Sequence, residues 1–297
     1  MAPLLGWPIA SLDNTWQNLL EPAKNGLLRD HVVDGECVYA AADFIETALE
    51  SASLYSKGES ISLEHLDILS SLVFDKDNYK NIRFRIIDST LAFDIKSRDY
   101  LADDEWVHNA KGRLLTVDDA LIKGQDNFFA ERVNNAGDKV VSGGISTVSR
   151  DEIYKITESL GLVYGEQFAL VDHIDICGDS LKIHLNKQAL KAHDENYVIH
   201  PGILDAGFHA LFAMKQFSDT RSAYLPVKFG RISLYRDADV AYLTARILRT
   251  GSRSILASFQ LYNSADRCVG LMHNCRFNMM PKMDRDEKTD VILIKRL

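Results

Sequence analysis

Two stretches decide the architecture: AADFIETALESASLY at residues 41–55 and HPGILDAGFHALFAMKQF at residues 200–217. In the first, Phe44, Ile45, Ala48, Leu49 and Ala52 recur at helical spacing. In the second, Ile203, Leu204, Phe208, Leu211 and Phe212 make one apolar face, and Pro201 suits a first helical turn. Each predicted helix is followed by short alternating runs. After the first come Ile82-Phe84-Ile86, Leu91-Phe93-Ile95 and WVHNAKGRLLTV at 106–117, where Gly112 is expected to mark a bulge. After the second come LPVKFGRISLY (225–235), DVAYLTARIL (239–248), SILASFQLY (254–262) and RCVGLMHNCRF (267–277). Turn sequences such as RTGS and NSAD separate them, so they read as neighbouring antiparallel strands.

The element order therefore predicts an α+β fold in which the same plan occurs twice. A long helix wrapped by a curved antiparallel sheet is a hotdog unit, and two in tandem make a double hotdog. The halves share little sequence, so the repeat rests on element order alone. We place the first unit at 1–125 and the second at 151–297. The Gly-, Ser- and Asn-rich segment 126–150, with Gly137, Gly143 and Gly144, reads as a surface connection. A short amphipathic helix is expected at about 150–160. Both ends, MAPLLGWPIAS and the charge-alternating PKMDRDEKTDVILIKRL, read as edges of a piece of something longer.

The chain has 297 residues, 46% of them hydrophobic, which suffices for a large core without covalent staples. A formal charge of −8 argues against nucleic acid as the main partner, because a phosphate-binding surface concentrates Lys and Arg. No apolar run approaches membrane-helix length, and the N-terminus lacks a secretory pattern. Cys37, Cys177, Cys268 and Cys275 form no C-x-x-C pair and no zinc spacing, so a reducing cytoplasm is the default. His273 and Cys275 are expected on one face of a strand, with a buried thiol as the plain outcome.

Two constellations carry candidate chemistry. In DHVVDGECVYAAADF (30–44), His31 precedes Gly35 and a helix start. Glycine allows close backbone approach to a ligand, and a helix N-terminus offers free N–H groups. His31 exchanges protons near neutral pH, although a His making a local hydrogen bond before a tight turn fits equally. In HPGILDAGFHAL (200–211), Asp205 and His209 lie one turn apart on one helical face. A carboxyl on an apolar helix needs a partner or a raised pKa, and a raised pKa suits a general acid. A solvated Asp–His pair is the alternative. His65, His173, His184 and His193 read as surface residues, His108 as structural, and His200 as shaping a helix entrance. No nucleophile elbow, H-E-x-x-H or P-loop is present.

Taken together, these segments resemble the dehydratase domains of modular polyketide synthases, which are similar to the dehydratases of animal-type fatty acid synthases. The HxxxGxxxxP motif is matched by His31 and Gly35, with Ala40 in place of the proline. YGxxF is matched by Tyr164, Gly165 and Phe168, the LP motif by Leu225 and Pro226, and DxxxQ/H by Asp205 and His209. LLGWPI at 4–9 and WVHNAKGRL at 106–114 look like the family too. The matches fall in family order and span nearly the whole chain. Alanine at position 40 puts the positioning of His31 in question, and Ala40→Pro is expected to give equal or higher activity.

The resemblance implies a hydro-lyase that removes water from a β-hydroxyacyl chain on an acyl carrier protein. His31 would take the α-proton, and protonated Asp205 would give a proton to the departing hydroxyl; alternatively His31 shuttles the proton while Asp205 holds the hydroxyl. His209 would orient Asp205, and a backbone N–H near Gly35 or the central helix start would polarise the thioester carbonyl. Tyr164 would hydrogen-bond near the pocket or serve structure alone. No cofactor or metal is implied, since the phosphopantetheine arm belongs to the carrier protein. Neighbouring synthase domains and a second copy of the chain are the other partners implied. Related double-hotdog domains shift double bonds or close oxygen heterocycles. A silent module that only binds carrier protein and a free-standing thioesterase are the remaining alternatives.

Overall fold

The apolar stripe at residues 41–55 becomes a helix that is buried along almost its whole length. The computed structural model describes residues 3–55, 58–74, 79–87, 89–115, 126–135, 144–186, 188, 196–218, 222–236 and 238–280. The N-terminal part contains β1 (Trp7–Pro8), β2 (Thr15–Leu20), α1 (Gly26–Arg29), β3 (His31–Val33), β4 (Glu36–Val38) and the central helix α2 (Ala41–Tyr55). It continues with β5 (Ser60–Ile68), β6 (Val73–Phe74), β7 (Lys80–Ile86), β8 (Ala92–Asp99) and β9 (Val107–Leu115). Next come α3 (Phe128–Asn135), β10 (Ser146–Ser149), α4 (Arg150–Ser159), β11 (Leu162–Tyr164), β12 (Val171–Cys177), β13 (Ser180–Leu185) and α5 (Pro201–His209). A 3₁₀ turn (Ala210–Ala213), α6 (Lys215–Ser218), β14 (Tyr224–Tyr235), β15 (Tyr242–Thr250), β16 (Ser254–Tyr262) and β17 (Cys268–Met279) complete the described chain.

One antiparallel sheet runs β1-β2-β7-β8-β9-β5-β14-β17-β16-β15-β13-β12-β10. Its first six strands belong to the N-terminal unit and its last seven to the C-terminal one. They join where β5 pairs with β14, Leu63 opposite Ile232, and the buried hydroxyls of Ser62 and Ser233 meet at 2.8 Å. Helix α2 packs on β5 and β9, α5 packs on β13 and β15, and the two helices touch. This is the double-hotdog α+β arrangement. A smaller sheet, β11-β3-β4-β6, lies apart from the large one. It pairs Tyr164 with His31, so a strand of the second half runs beside the first candidate histidine.

Three local expectations differ from what forms. The helix over 200–217 breaks after His209 into a 3₁₀ turn and α6, with Met214 extended between them. Phe208, Leu211, Phe212 and Phe217 are all buried, so this segment has no single apolar stripe, and bending lets it bury apolar groups on several sides. The stretch 126–150 is more than a connection: α3 packs on β12, β13 and β15, and β10 adds an edge strand to β12. Gly137 and Gly143 fall outside the described residues. Gly112 is not itself bulged. The extra residue lies on β5 opposite it, where His65 has φ +52°, and the absent Cβ of Gly112 makes room for the Phe93 ring. At the other edge of the core, Cys275 is fully buried while His273 sits beside a bulge at Asn274 (φ +54°), which breaks the simple alternation.

Helix α2 buries three carboxyls as well as its apolar stripe. Asp43 accepts the Ala40 N–H at 2.7 Å. Glu46 accepts those of Val198 (2.6 Å) and Ile199 (3.0 Å), which ties the helix to the segment leading into α5. Glu50 accepts those of Leu4 and Leu5, the latter at 2.5 Å. Burial raises all three carboxyls, which resist ionising in the core; Glu50 is lifted to about 7.

This gives a pH prediction for Glu50. Its folded pKa lies above the unfolded one, so ionisation weakens the fold progressively as pH climbs from about 4.5 to about 7. Glu50→Gln removes that charge and keeps an acceptor. The melting temperature of the variant relative to the parent is expected to be more favourable at pH 8 than at pH 5. A difference independent of pH would show that Glu50 does not titrate there.

Candidate active site

His31 begins β3, and the tight turn at Asp34–Gly35 folds β4 back beside it. Both turn residues have positive φ (+50° and +90°), and Gly35 is the one placed where side chains are strained. The turn brings the Val38 carbonyl to 3.0 Å from His31 Nδ1, which fixes the proton on Nδ1 and leaves Nε2 with its lone pair. Nε2 faces Asp205 Oδ2 at 3.8 Å. The same oxygen accepts the Nε2–H of His209 at 2.7 Å, one turn further along α5. His209 Nδ1 has no hydrogen-bond partner. Helix α5 itself is started by His200, whose Nδ1 accepts the Gly202 N–H at 3.2 Å.

The electrostatics corrects one expectation. Burial pulls the His31 pKa below its ordinary value and outweighs the opposing pull of Asp205, so the ring is neutral at neutral pH. For Asp205, burial pushes upward, but His209, by charge and by hydrogen bond, and then His31 outweigh it. The carboxyl ends below its ordinary value, not above it. In the free site burial therefore favours the neutral form of His31, and His209 favours the ionised form of Asp205.

The segment GLVYGEQF builds the wall behind this pair. Tyr164 stacks on His209 with ring centroids 3.8 Å apart, and its centroid lies 5.5 Å from that of His31. Gly165 donates its N–H to the Asp30 carbonyl at 2.8 Å, while Gln167 donates to the Asp30 carboxylate at 2.9 Å. A Cβ on Gly165 would lie 2.3 Å from the Asp30 side chain, so only glycine permits this approach. Phe168 is fully buried, its ring 5.1 Å from that of His31. The motif therefore clamps the residue before His31 from the opposite half.

An apolar cavity opens beside the pair, with an empty volume of about 620 Å³, part of it open to solvent. Val38, Phe44, Ile68, Phe208, Phe212, Leu225 and Pro226 line it, together with His31, Tyr164, Asp205 and His209. The structure thus gathers His31, Asp205, His209, Tyr164, Leu225 and Pro226 around one space. Gly35 does not line it, and its role is the hairpin turn. Gly165 and Phe168 act from behind. Ala41, at the start of α2, lines the cavity, and first-turn N–H groups have no partner within their helix. Sequence reading missed Tyr39, Ser71, Tyr224 and the Val38 carbonyl. The tyrosines sit next to recognised motifs, but a backbone carbonyl leaves no residue-type signal.

A buried imidazole and a carboxyl group thus meet across two fused hotdog units, beside an apolar pocket. By sequence, the chain belongs to the polyketide synthase dehydratase family. Residues 135–287 match the "Polyketide synthase dehydratase N-terminal domain" family and residues 2–98 the "Polyketide synthase dehydratase domain" family. Among curated proteins, Fusarin C synthetase of Gibberella moniliformis is 25% identical over 292 residues, covering 89% of this chain and 7% of that protein. Hybrid PKS-NRPS synthetase lepA of Aspergillus flavus is 26% identical over 229 residues, 73% of this chain and 6% of that protein. The chain thus spans less than a tenth of the length of these relatives. Among solved structures, a trans-AT PKS dehydratase domain from Brevibacillus brevis superposes with TM-score 0.80 at 17% identity, covering 94% of this chain and 98% of that one. The dehydratase domain of PpsC from Mycobacterium tuberculosis gives 0.75 at 15% identity, covering 94% and 99%.

The Ala40 contact reverses the expectation for proline. Proline lacks the N–H that Asp43 Oδ2 accepts, and Asp43 Oδ1 is already without a partner. Ala40→Pro is therefore expected to destabilise the domain by about 1–3 kcal/mol. Asp43→Ala should remove most of that extra cost when combined with it. Denaturant titration of the two single variants and the double variant reads the coupling; additive losses would show that the Ala40–Asp43 bond does not matter.

Proposed function

We propose that this domain removes water from a β-hydroxyacyl thioester carried on an acyl carrier protein, giving an α,β-unsaturated thioester. The observation that carries this reading is the buried His31–Asp205 pair at the wall of an apolar cavity. His31, held through Nδ1 by the Val38 carbonyl, takes the α-proton on its unprotonated Nε2. Negative charge passes to the thioester oxygen, where first-turn N–H groups of α2 at Ala41 stabilise it. The Cβ–O bond then breaks. Because Asp205 begins as a carboxylate, the proton that the departing hydroxyl needs is the one His31 has just accepted. Asp205 accepts a hydrogen bond from the hydroxyl and steadies the transient imidazolium. One water leaves, and both side chains return to their starting states. His209 and Tyr164 hold the carboxylate in place.

The apolar wall of Phe44, Ile68, Phe208 and Phe212 suits an alkyl chain, and the thioester itself acidifies the α-carbon. A carrier protein that delivers substrate, neighbouring synthase domains and a second copy of the chain are its partners in this reading; the family and the far greater length of the relatives support neighbouring domains. Retention of both His31 and Asp205 favours dehydration over double-bond migration and over a silent spacer.

Intact-mass analysis of a carrier protein loaded with a short β-hydroxyacyl group tests the reaction. Wild type is expected to remove one water, His31→Phe none, and Asp205→Asn to slow the step by about 10²–10⁴-fold. Retained activity in a folded His31→Phe variant would remove His31 from the mechanism.

The pH profile separates the two proton routes. With a neutral imidazole base and an ionised Asp205, kcat/KM should fall only on the acid side of the ordinary imidazole value of 6.5 and stay level above it. An alkaline limb in that range that disappears in Asp205→Asn would mean that a protonated Asp205 is the acid.

A further inference from the structure

Away from the cavity, two cross-strand histidines and a carboxylate converge on the surface of the C-terminal unit. His173 on β12 lies opposite His184 on β13, and their rings stack at 4.0 Å with planes 11° apart. Asp175, two residues beyond His173, holds His184 Nε2 through Oδ2 at 3.1 Å. One ligand atom from each of His173, Asp175 and His184 lies within 4.8 Å of the others. This is the cluster of three such ligands found among the described residues. None of the three lines the catalytic cavity. Their side chains are 37%, 23% and 29% exposed, so an ion in solution can reach them.

We propose that His173, Asp175 and His184 bind a divalent transition-metal ion, Zn²⁺ being the fitting probe. Two imidazoles and one carboxylate form a donor set suited to borderline ions of this class. Tetrahedral coordination puts ligand atoms roughly 3.4 Å apart, so modest side-chain rotation closes the present spacing. The ion replaces the hydrogen bond between His184 Nε2 and Asp175, and the single ring proton of neutral His184 moves to Nδ1. Supporting contacts are already built. Asp172 holds His173 Nδ1 at 2.7 Å, the carboxylate–histidine arrangement that orients metal-binding rings, and Thr147 on β10 donates to Asp175 Oδ1 at 2.7 Å. Ser149, which caps α4, pairs with His173. A bound ion therefore fastens the edge strand β10 and the start of α4 to the sheet.

Calorimetric titration of the tag-free 297-residue chain with Zn²⁺ tests this. One ion per chain is expected, together with a rise in melting temperature. His184→Ala and Asp175→Ala should each weaken binding at least about tenfold and cancel the thermal shift, and Asp172→Asn should weaken it about tenfold. His31→Ala should bind as wild type does. Titration with Co²⁺ should give visible absorption bands that vanish in His184→Ala. Absence of saturable uptake, uptake unchanged in folded His184→Ala and Asp175→Ala variants, or uptake lost in His31→Ala would overturn the proposal.

Discussion

The contact between His31 Nε2 and the Asp205 carboxyl group joins the two halves of this molecule at the proposed site. Neither group belongs to the same unit. His31 sits on a short strand beside the N-terminal hotdog, and Asp205 on the central helix of the C-terminal one. Bringing them to 3.8 Å requires β5 to pair with β14, α2 to touch α5, and β11 to cross over and lie beside β3. The continuous sheet is thus more than a way of burying apolar strands. It fixes the relative placement of two titratable groups that sequence separates by more than half the chain.

Burial gives that pair its character. Removing a charge from water is costly, so each polar group in the core needs a partner or loses its charge. Burial favours the uncharged form of His31, while His209, which donates to Asp205, favours the charged form of that carboxyl. The acids of α2 show the opposite outcome: with only backbone N–H groups to pair with, Asp43, Glu46 and Glu50 are driven upward. Glu46 reaches the approach to α5 and Glu50 the N-terminal segment, so the helix that forms one core also tethers its surroundings.

Much of this was legible in the sequence. Helix α2 and the strands after each helix follow from periodicity, and the pairing of His31 with Asp205 is implied by the family resemblance that the ordered motifs carry. What was hidden has physical causes. A helix buried on every side gives no polar face, so Asp43, Glu46 and Glu50 look like solvent residues while lying in the core. The break after His209 is masked by uniform apolarity. Strand β10 is short and polar, and its identity comes only from its partner β12. The role of Gly165 depends on Asp30, 135 residues away, and that of Gly35 on a turn rather than a pocket. The state of Asp205 could not be read without knowing that both histidines face it.

The most direct test of the account is the ¹⁵N NMR titration of His31 in the folded, substrate-free domain. The account predicts a ring that is neutral at pH 7, protonated on Nδ1, with a pKa below the ordinary 6.5 that falls further in Asp205→Asn. An imidazolium at neutral pH, or a neutral ring carrying its proton on Nε2, would contradict it, because His31 would then have no lone pair facing the substrate.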